Sequence, residues 1–193
     1  RSREFCSYLF NLMKIKFGDF GIKSEEEFYK IVNNVKNSFI RTESDEVNYN
    51  LHILMRYDLE KELFRENLQV EDLEAAWNER FKLDFNRDIT ELSDGFLQDV
   101  HWSAGLFGYF PTYTLGNIYA GCLFEKIINT NKNALKEIEH GKFNTVLEWL
   151  KRNIYIFGST EKPEKIISSA IEKDINEEPL MEYLNKKFND IYV

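Results

Sequence analysis

Asp45-Glu46-Val47-Asn48-Tyr49-Asn50-Leu51-His52-Ile53-Leu54-Met55-Arg56-Tyr57-Asp58-Leu59-Glu60-Lys61-Glu62-Leu63 is the stretch that decides the fold class. Val47, Leu51, Met55, Leu59 and Leu63 recur every four residues, the spacing of one face of an α-helix, which predicts a helix of about five turns capped by Asp45 or Ser44. Upstream, Ser24 followed by Glu27 makes a capping box, and Phe28, Ile31, Val32 and Val35 supply an apolar stripe behind it. Phe5, Leu9, Leu12 and Met13 mark an earlier helix that stops near Gly18. Downstream, Val70, Leu73, Ala76, Trp77 and Phe81 predict another, with acidic residues at its amino end. Residues 86–95 read as loop, and residues 96–110 mix aromatics and Gly without a clean period. Pro111 fits the first turn of a helix carrying Leu115, Ile118, Tyr119, Cys122, Phe124 and Ile127, in which Gly116 and Gly121 suggest close helix contacts. Shorter helices follow over 134–139, 143–157, 163–172 and 179–192. The expectation is an all-α or nearly all-α chain with no linker long enough to divide it.

Composition narrows the function classes. The 193 residues carry 25 Lys plus Arg against 33 Asp plus Glu, a net charge of −8, and the basic residues do not cluster, which argues against a nucleic-acid partner. No apolar run reaches the roughly 18 residues that span a bilayer, so no membrane partner is expected. Two cysteines in no paired motif suit a reduced, cytoplasmic chain. The aromatic load of 16 Phe, 10 Tyr and 3 Trp predicts an interior rich in ring contacts. The start at Arg1, without Met, reads as a cut end.

Chemistry-bearing motifs are sparse. Three histidines, His52, His101 and His140, form no H-E-x-x-H, and the acidic pairs Glu43/Asp45 and Asp58/Glu62 suit capping and solvated faces better than a metal. No metal ligand is assigned. Arg41, in the polar loop Ile40-Arg41-Thr42-Glu43-Ser44-Asp45, reads either as a surface ion pair or as a guanidinium held by an acidic partner and offered to a carboxylate. His101 reads either as a donor to substrate or as a buried histidine bonded to a backbone carbonyl. Tyr109 and Tyr113 are either core packing or phenols that bind peptide and stabilise an oxyanion.

These motifs resemble the carboxy-terminal part of the thermostable carboxypeptidase (Taq) family of zinc metallocarboxypeptidases. The likeness runs through Arg1-Ser2-Arg3-Glu4-Phe5, the I-R-x-x-(A/S)-D pattern at Ile40, Arg41, Ser44 and Asp45, Asn50-Leu51-His52-Ile53, and Ala76-Trp77-Asn78-Glu79. It continues through Leu97-Gln98-Asp99-Val100-His101-Trp102-Ser103 and the unusual Phe107-Gly108-Tyr109-Phe110-Pro111-Thr112-Tyr113-Thr114-Leu115-Gly116-Asn117. The resemblance implies that residues 1–193 are a single helical fragment of a larger, mostly helical, groove-containing catalytic domain, in an enzyme that releases C-terminal residues from peptides with metal-activated water. It also implies zinc or another divalent metal in the full-length protein, peptide substrates with a free C-terminal carboxylate, and a homodimer. The family's H-E-x-x-H, H-E-(S/G)-Q, H-P-F and D-x-R-x-T motifs are absent from these residues, so no metal ligand carries over and the fragment alone is expected to be inactive. By resemblance, Arg41 recognises the substrate carboxylate and Asp45 fixes its loop. His101 with Tyr109 or Tyr113 contacts substrate or the tetrahedral intermediate, and Trp102, Phe107 and Phe110 shape the groove. The alternative is a non-catalytic peptide-binding or scaffold module.

Overall fold

A computed structural model describes residues 1–193, which form nine α-helices joined by short 3-10 turns, with no strand. They are α1 (Arg3–Phe17), α2 (Glu25–Val32), α3 (Asn48–Phe64), α4 (Leu73–Phe85), α5 (Pro111–Thr130), α6 (Ala134–Glu139), α7 (Asn144–Asn153), α8 (Pro163–Ile171) and α9 (Glu178–Tyr192). The all-α expectation holds. The helices fall into two compact units, one of residues 35–116 and one of residues 1–34 with 117–193.

In the second of these units, Ser24 accepts the Glu27 N–H at 3.1 Å, but the Glu27 carboxylate reaches back to the Lys23 N–H at 2.8 Å rather than to that of Ser24. The box is therefore displaced by one residue. The α2 stripe also differs from the expected one. Phe28 and Tyr29 are buried against Cys6 and Phe10 of α1, whereas Ile31 is 54% exposed. Val35 lies past the last residue of a helix only eight residues long, so it has no place on that face. Of the two glycines suspected of close contact in α5, only Gly121 makes one. A Cβ there would sit 3.0 Å from the Leu180 backbone nitrogen in α9, while at Gly116 it would meet nothing within 4 Å. Cys122 is buried nearby against Ile167 and Ile171.

In residues 35–116, Met55 and Leu59 of α3 bury against Leu73, Trp77, Phe81 and Phe85 of α4. Phe81 stacks on Phe39 and Phe85 with ring centroids 5.6 and 4.6 Å apart, so the expected ring-rich interior is found here. Val70 is not part of that stripe. It lies in a 3-10 turn before α4 and is 74% exposed.

The second buried face of α3 is the departure that matters for function. Asn48, His52, Arg56 and Glu60 follow one another at one-turn spacing and all are buried, while Leu51, expected on the apolar face, is exposed. A buried polar stripe is tolerated only when each member finds partners, so the segments opposite it are fixed by hydrogen bonds as well as by packing.

Candidate functional site

The site is assembled on that polar stripe. Asp45 is the cap of α3: Oδ1 accepts the Val47 and Asn48 N–H groups at 2.9 Å, and Oδ2 accepts from the Lys36 N–H at 3.1 Å and Asn48 Nδ2 at 2.8 Å. Ser44 does not cap; its hydroxyl donates to the Ile40 carbonyl at 3.0 Å and closes the 3-10 turn that begins at Arg41. Asp45 thus fixes the entry of the helix and the end of the Arg41 loop together, and its carboxylate is fully spent doing so.

Arg41 is buried, not a surface ion pair. Its Nε and Nη2 donate to Asp99 Oδ1 at 3.1 and 2.6 Å, and Nη1 donates to the Tyr49 hydroxyl at 2.9 Å. Its backbone N–H donates to Gln98 Oε1 at 2.9 Å, while Gln98 Nε2 holds the Phe39 carbonyl at 3.0 Å. Asp99 has a second cation: Arg56 Nε donates to Oδ2 at 2.9 Å, and Nη2 lies 2.8 Å from the same oxygen. Two guanidiniums on one carboxylate leave the cluster one positive charge in excess. Arg41 is the outer of the pair, its side chain 7% exposed against 1% for Arg56.

Burial opposes the charged form of Asp99, but the hydrogen bonds and charges of Arg41 and Arg56 outweigh it and hold the carboxyl below its ordinary range. Burial pushes Arg56 down to about 10, against the pull of Asp99, so it stays protonated at neutral pH.

His52 orients Arg56. Its Nε2 is 3.0 Å from the Ser38 carbonyl and so carries the proton, which leaves Nδ1 to face Arg56 Nη1 at 3.4 Å. Burial, reinforced by the Arg56 charge, lowers the His52 pKa to about 4. An unfolded histidine titrates near 6.5, so between these values the unfolded chain binds the proton that the folded one refuses. Stability from neutral His52 is therefore complete above about pH 6.5 and is lost as pH falls towards 4, by up to about 3 kcal/mol. Denaturation at pH 7.5 and pH 5 should show this loss, and His52→Gln should flatten it; an equal loss in both proteins would contradict the assignment.

The aromatic segment closes the other side. His101 is 8% exposed, and its Nε2 lies 2.9 Å from the Tyr113 hydroxyl, not on a backbone carbonyl. Its Nδ1 is buried without a protein partner. The Tyr113 ring carries the Arg41 guanidinium 4.9 Å from its centroid, so Arg41, Tyr113 and His101 form one contiguous group. Tyr109 stands at the rim, 46% exposed, with its ring 5.5 Å from Tyr113 and 5.6 Å from His101. Burial raises the pKa of Tyr113 against the opposing Arg41 charge, so its hydroxyl is protonated at neutral pH. Of the expected wall residues, Phe107 is 45% exposed, while Phe110 is buried with its ring centroid 4.4 Å from that of His101.

The metal expectation meets no ligand set here: no group of three or more His, Cys, Asp or Glu side chains converges. His52 and His101 are engaged as described, and His140 Nδ1 pairs with the Lys136 carbonyl at 2.7 Å. These residues do not by themselves fit a metal. Asp99, Arg56, Gln98, Tyr49 and Glu60 are the members that sequence reasoning had not singled out. A polar run at helical spacing beside Met55 and Leu59 is the available signal for two of them.

Comparison with known proteins agrees with this architecture. The family model described as carboxypeptidase Taq (M32) metallopeptidase matches residues 1–188. Thermostable carboxypeptidase 1 of Thermus thermophilus is 40% identical over 192 residues, covering 100% of this chain and 38% of the relative. Carboxypeptidase 1 of Bacillus subtilis is 36% identical over 179 residues, covering 93% and 35%. The crystal structure of an M32 carboxypeptidase from Deinococcus radiodurans R1 superposes with a TM-score of 0.93 at 32% identity, covering 99% of this chain and 39% of that one. The chain thus spans a little over a third of the length of the relatives it matches.

Proposed function

Because this chain belongs to the carboxypeptidase Taq (M32) metallopeptidase family, we propose that it is part of a metallocarboxypeptidase that removes residues from peptide C termini, and that it supplies recognition of the substrate carboxylate. The observation that carries this reading is the excess positive charge of the buried Arg41–Asp99–Arg56 cluster. Asp99 and Tyr49 account for three of the five N–H groups of Arg41, leaving one on each terminal nitrogen. A second carboxylate is the natural acceptor for that remaining pair, and a peptide with a free C terminus presents one. Tyr113, a protonated phenol linked to His101 and next to that guanidinium, would donate to a substrate carbonyl or to the oxyanion formed from it. Tyr109 at the rim can serve the same substrate, and Asp45 acts through the loop it pins.

The same reading takes the metal, zinc or another divalent ion, to be bound by residues other than these, where it would activate the attacking water. It takes the complete protein to be a cytoplasmic homodimer. No helix of this chain is long and apolar enough to cross a membrane.

The test compares the 193-residue chain with the complete protein that contains it, each supplied with zinc and an N-terminally blocked peptide. The complete protein should release C-terminal residues and the chain alone should release none. Robust turnover by a homogeneous preparation of the chain would overturn its proposed inactivity. A complete protein that binds peptides without cleaving them would instead support the binding-module alternative.

A further inference from the structure

Glu60 closes the polar stripe of α3. It is 3% exposed, yet no cation pairs with it; its carboxylate accepts from Trp102 Nε1 at 2.6 Å and from the Gly108 N–H at 3.1 Å. A carboxyl group held this far from water needs such partners, and here they come from the two ends of a single excursion of the chain. Over residues 101–108 the backbone turns on itself: the Leu106 N–H meets the His101 carbonyl at 2.8 Å, and Gly105 and Gly108 take φ values of +72° and +74°. Each tied residue also has a candidate site residue as its immediate neighbour, His101 before Trp102 and Tyr109 after Gly108. One carboxylate thereby fixes the separation of the two side chains that face each other across the rim.

We propose that Glu60 is a positioning residue, a two-ended clamp that holds His101 and Tyr109 in register through Trp102 and Gly108. The inference rests on the carboxypeptidase reading for its consequence in turnover, but not for the ordering of the segment itself. Glutamine cannot replace Glu60, because its single carbonyl oxygen satisfies one donor while its amide NH2 confronts the other.

The experiment uses the complete protein with Glu60→Gln and, as a second variant, Trp102→Phe, which removes one donor and leaves the clamp tied at Gly108. In Glu60→Gln, kcat on a short blocked peptide should fall roughly tenfold to a hundredfold, as expected when reacting groups are displaced by about an ångström. KM should change by a smaller factor than kcat, because the Arg41 cluster keeps its contacts while only the His101 and Tyr109 positions loosen. Amide exchange over residues 103–109 should accelerate about tenfold or more while α3 and α4 remain protected. Trp102→Phe should show the same pattern more weakly, and it decides the matter if Glu60→Gln fails to fold. Unchanged exchange over 103–109, an exchange increase spread equally over α3 and α4, or a normal kcat despite a loosened segment would each overturn the proposal. If the unsubstituted protein cleaves no peptide, the carboxypeptidase reading fails and exchange alone decides: acceleration confined to 103–109 supports the clamp, and none overturns it.

Discussion

Asp99→Ala is expected to destabilise residues 35–116 by about 3–5 kcal/mol, the cost of removing one partner from a buried ionic cluster. Most of that cost comes from what the substitution leaves behind. Arg41 and Arg56 would be two guanidiniums, 7% and 1% exposed, with only neutral acceptors such as the Tyr49 hydroxyl and the His52 carbonyl. Their mutual repulsion would replace a shared attraction, in a setting where water screens neither. An exposed pair such as Lys151 with Glu148 is the control, since water screens it and losing it should change stability far less. Urea denaturation followed by hydrogen exchange over α3 and α4 measures both. The pH dependence has a definite sign. The folded pKa of Asp99 is held below the unfolded value of about 3.9, so the stabilisation is present above that value and disappears as pH falls through the lower folded one. The difference between the parent and Asp99→Ala should therefore be constant at neutral pH and shrink only in strong acid. A destabilisation no larger than that of Glu148→Ala would show that Asp99 does not hold the cluster.

The sequence makes the helices legible and the site only partly so, for a reason visible in α3. A stripe counted from apolar residues picks out Met55 and Leu59, which do bury, and Leu51, which does not. Asn48, His52, Arg56 and Glu60 leave no mark on such a stripe, because a polar side chain at helical spacing reads as a solvated face until its partners are known. Those partners are remote: Asp99 lies 43 residues from Arg56 and 58 from Arg41, and Trp102 lies 42 from Glu60. No local pattern encodes such pairings. Arg41 was legible as a guanidinium wanting an acidic partner because it sits in a short polar loop before a strong helix, but which acid it meets is a property of the fold. The His101–Tyr113 bond was missed for the same reason, although both residues stand in the aromatic stretch that no regular period explains.

Arg41→Ala separates recognition from architecture. In the complete protein it should lower kcat/KM for peptides with a free C terminus by about a hundredfold or more, the range expected when one side of a desolvated charge pair is truncated. Binding of the same peptides with an amidated C terminus should change little, because they never offered the carboxylate. The fold should survive better than in Asp99→Ala. Asp99 keeps its contacts to Arg56 at 2.9 and 2.8 Å, so the substitution removes the surplus cation and leaves a neutral pair. Stability and activity are thereby pulled apart: Asp99→Ala loses mainly stability, and Arg41→Ala mainly discrimination. Lysine at position 41 should restore little, because a single ammonium cannot hold Asp99 along one edge, reach the Tyr49 hydroxyl and still present a planar pair of donors to a second carboxylate. Equal losses on free and amidated peptides would sink the carboxylate assignment and return Arg41 to a purely structural role, tying the 3-10 turn to Asp99.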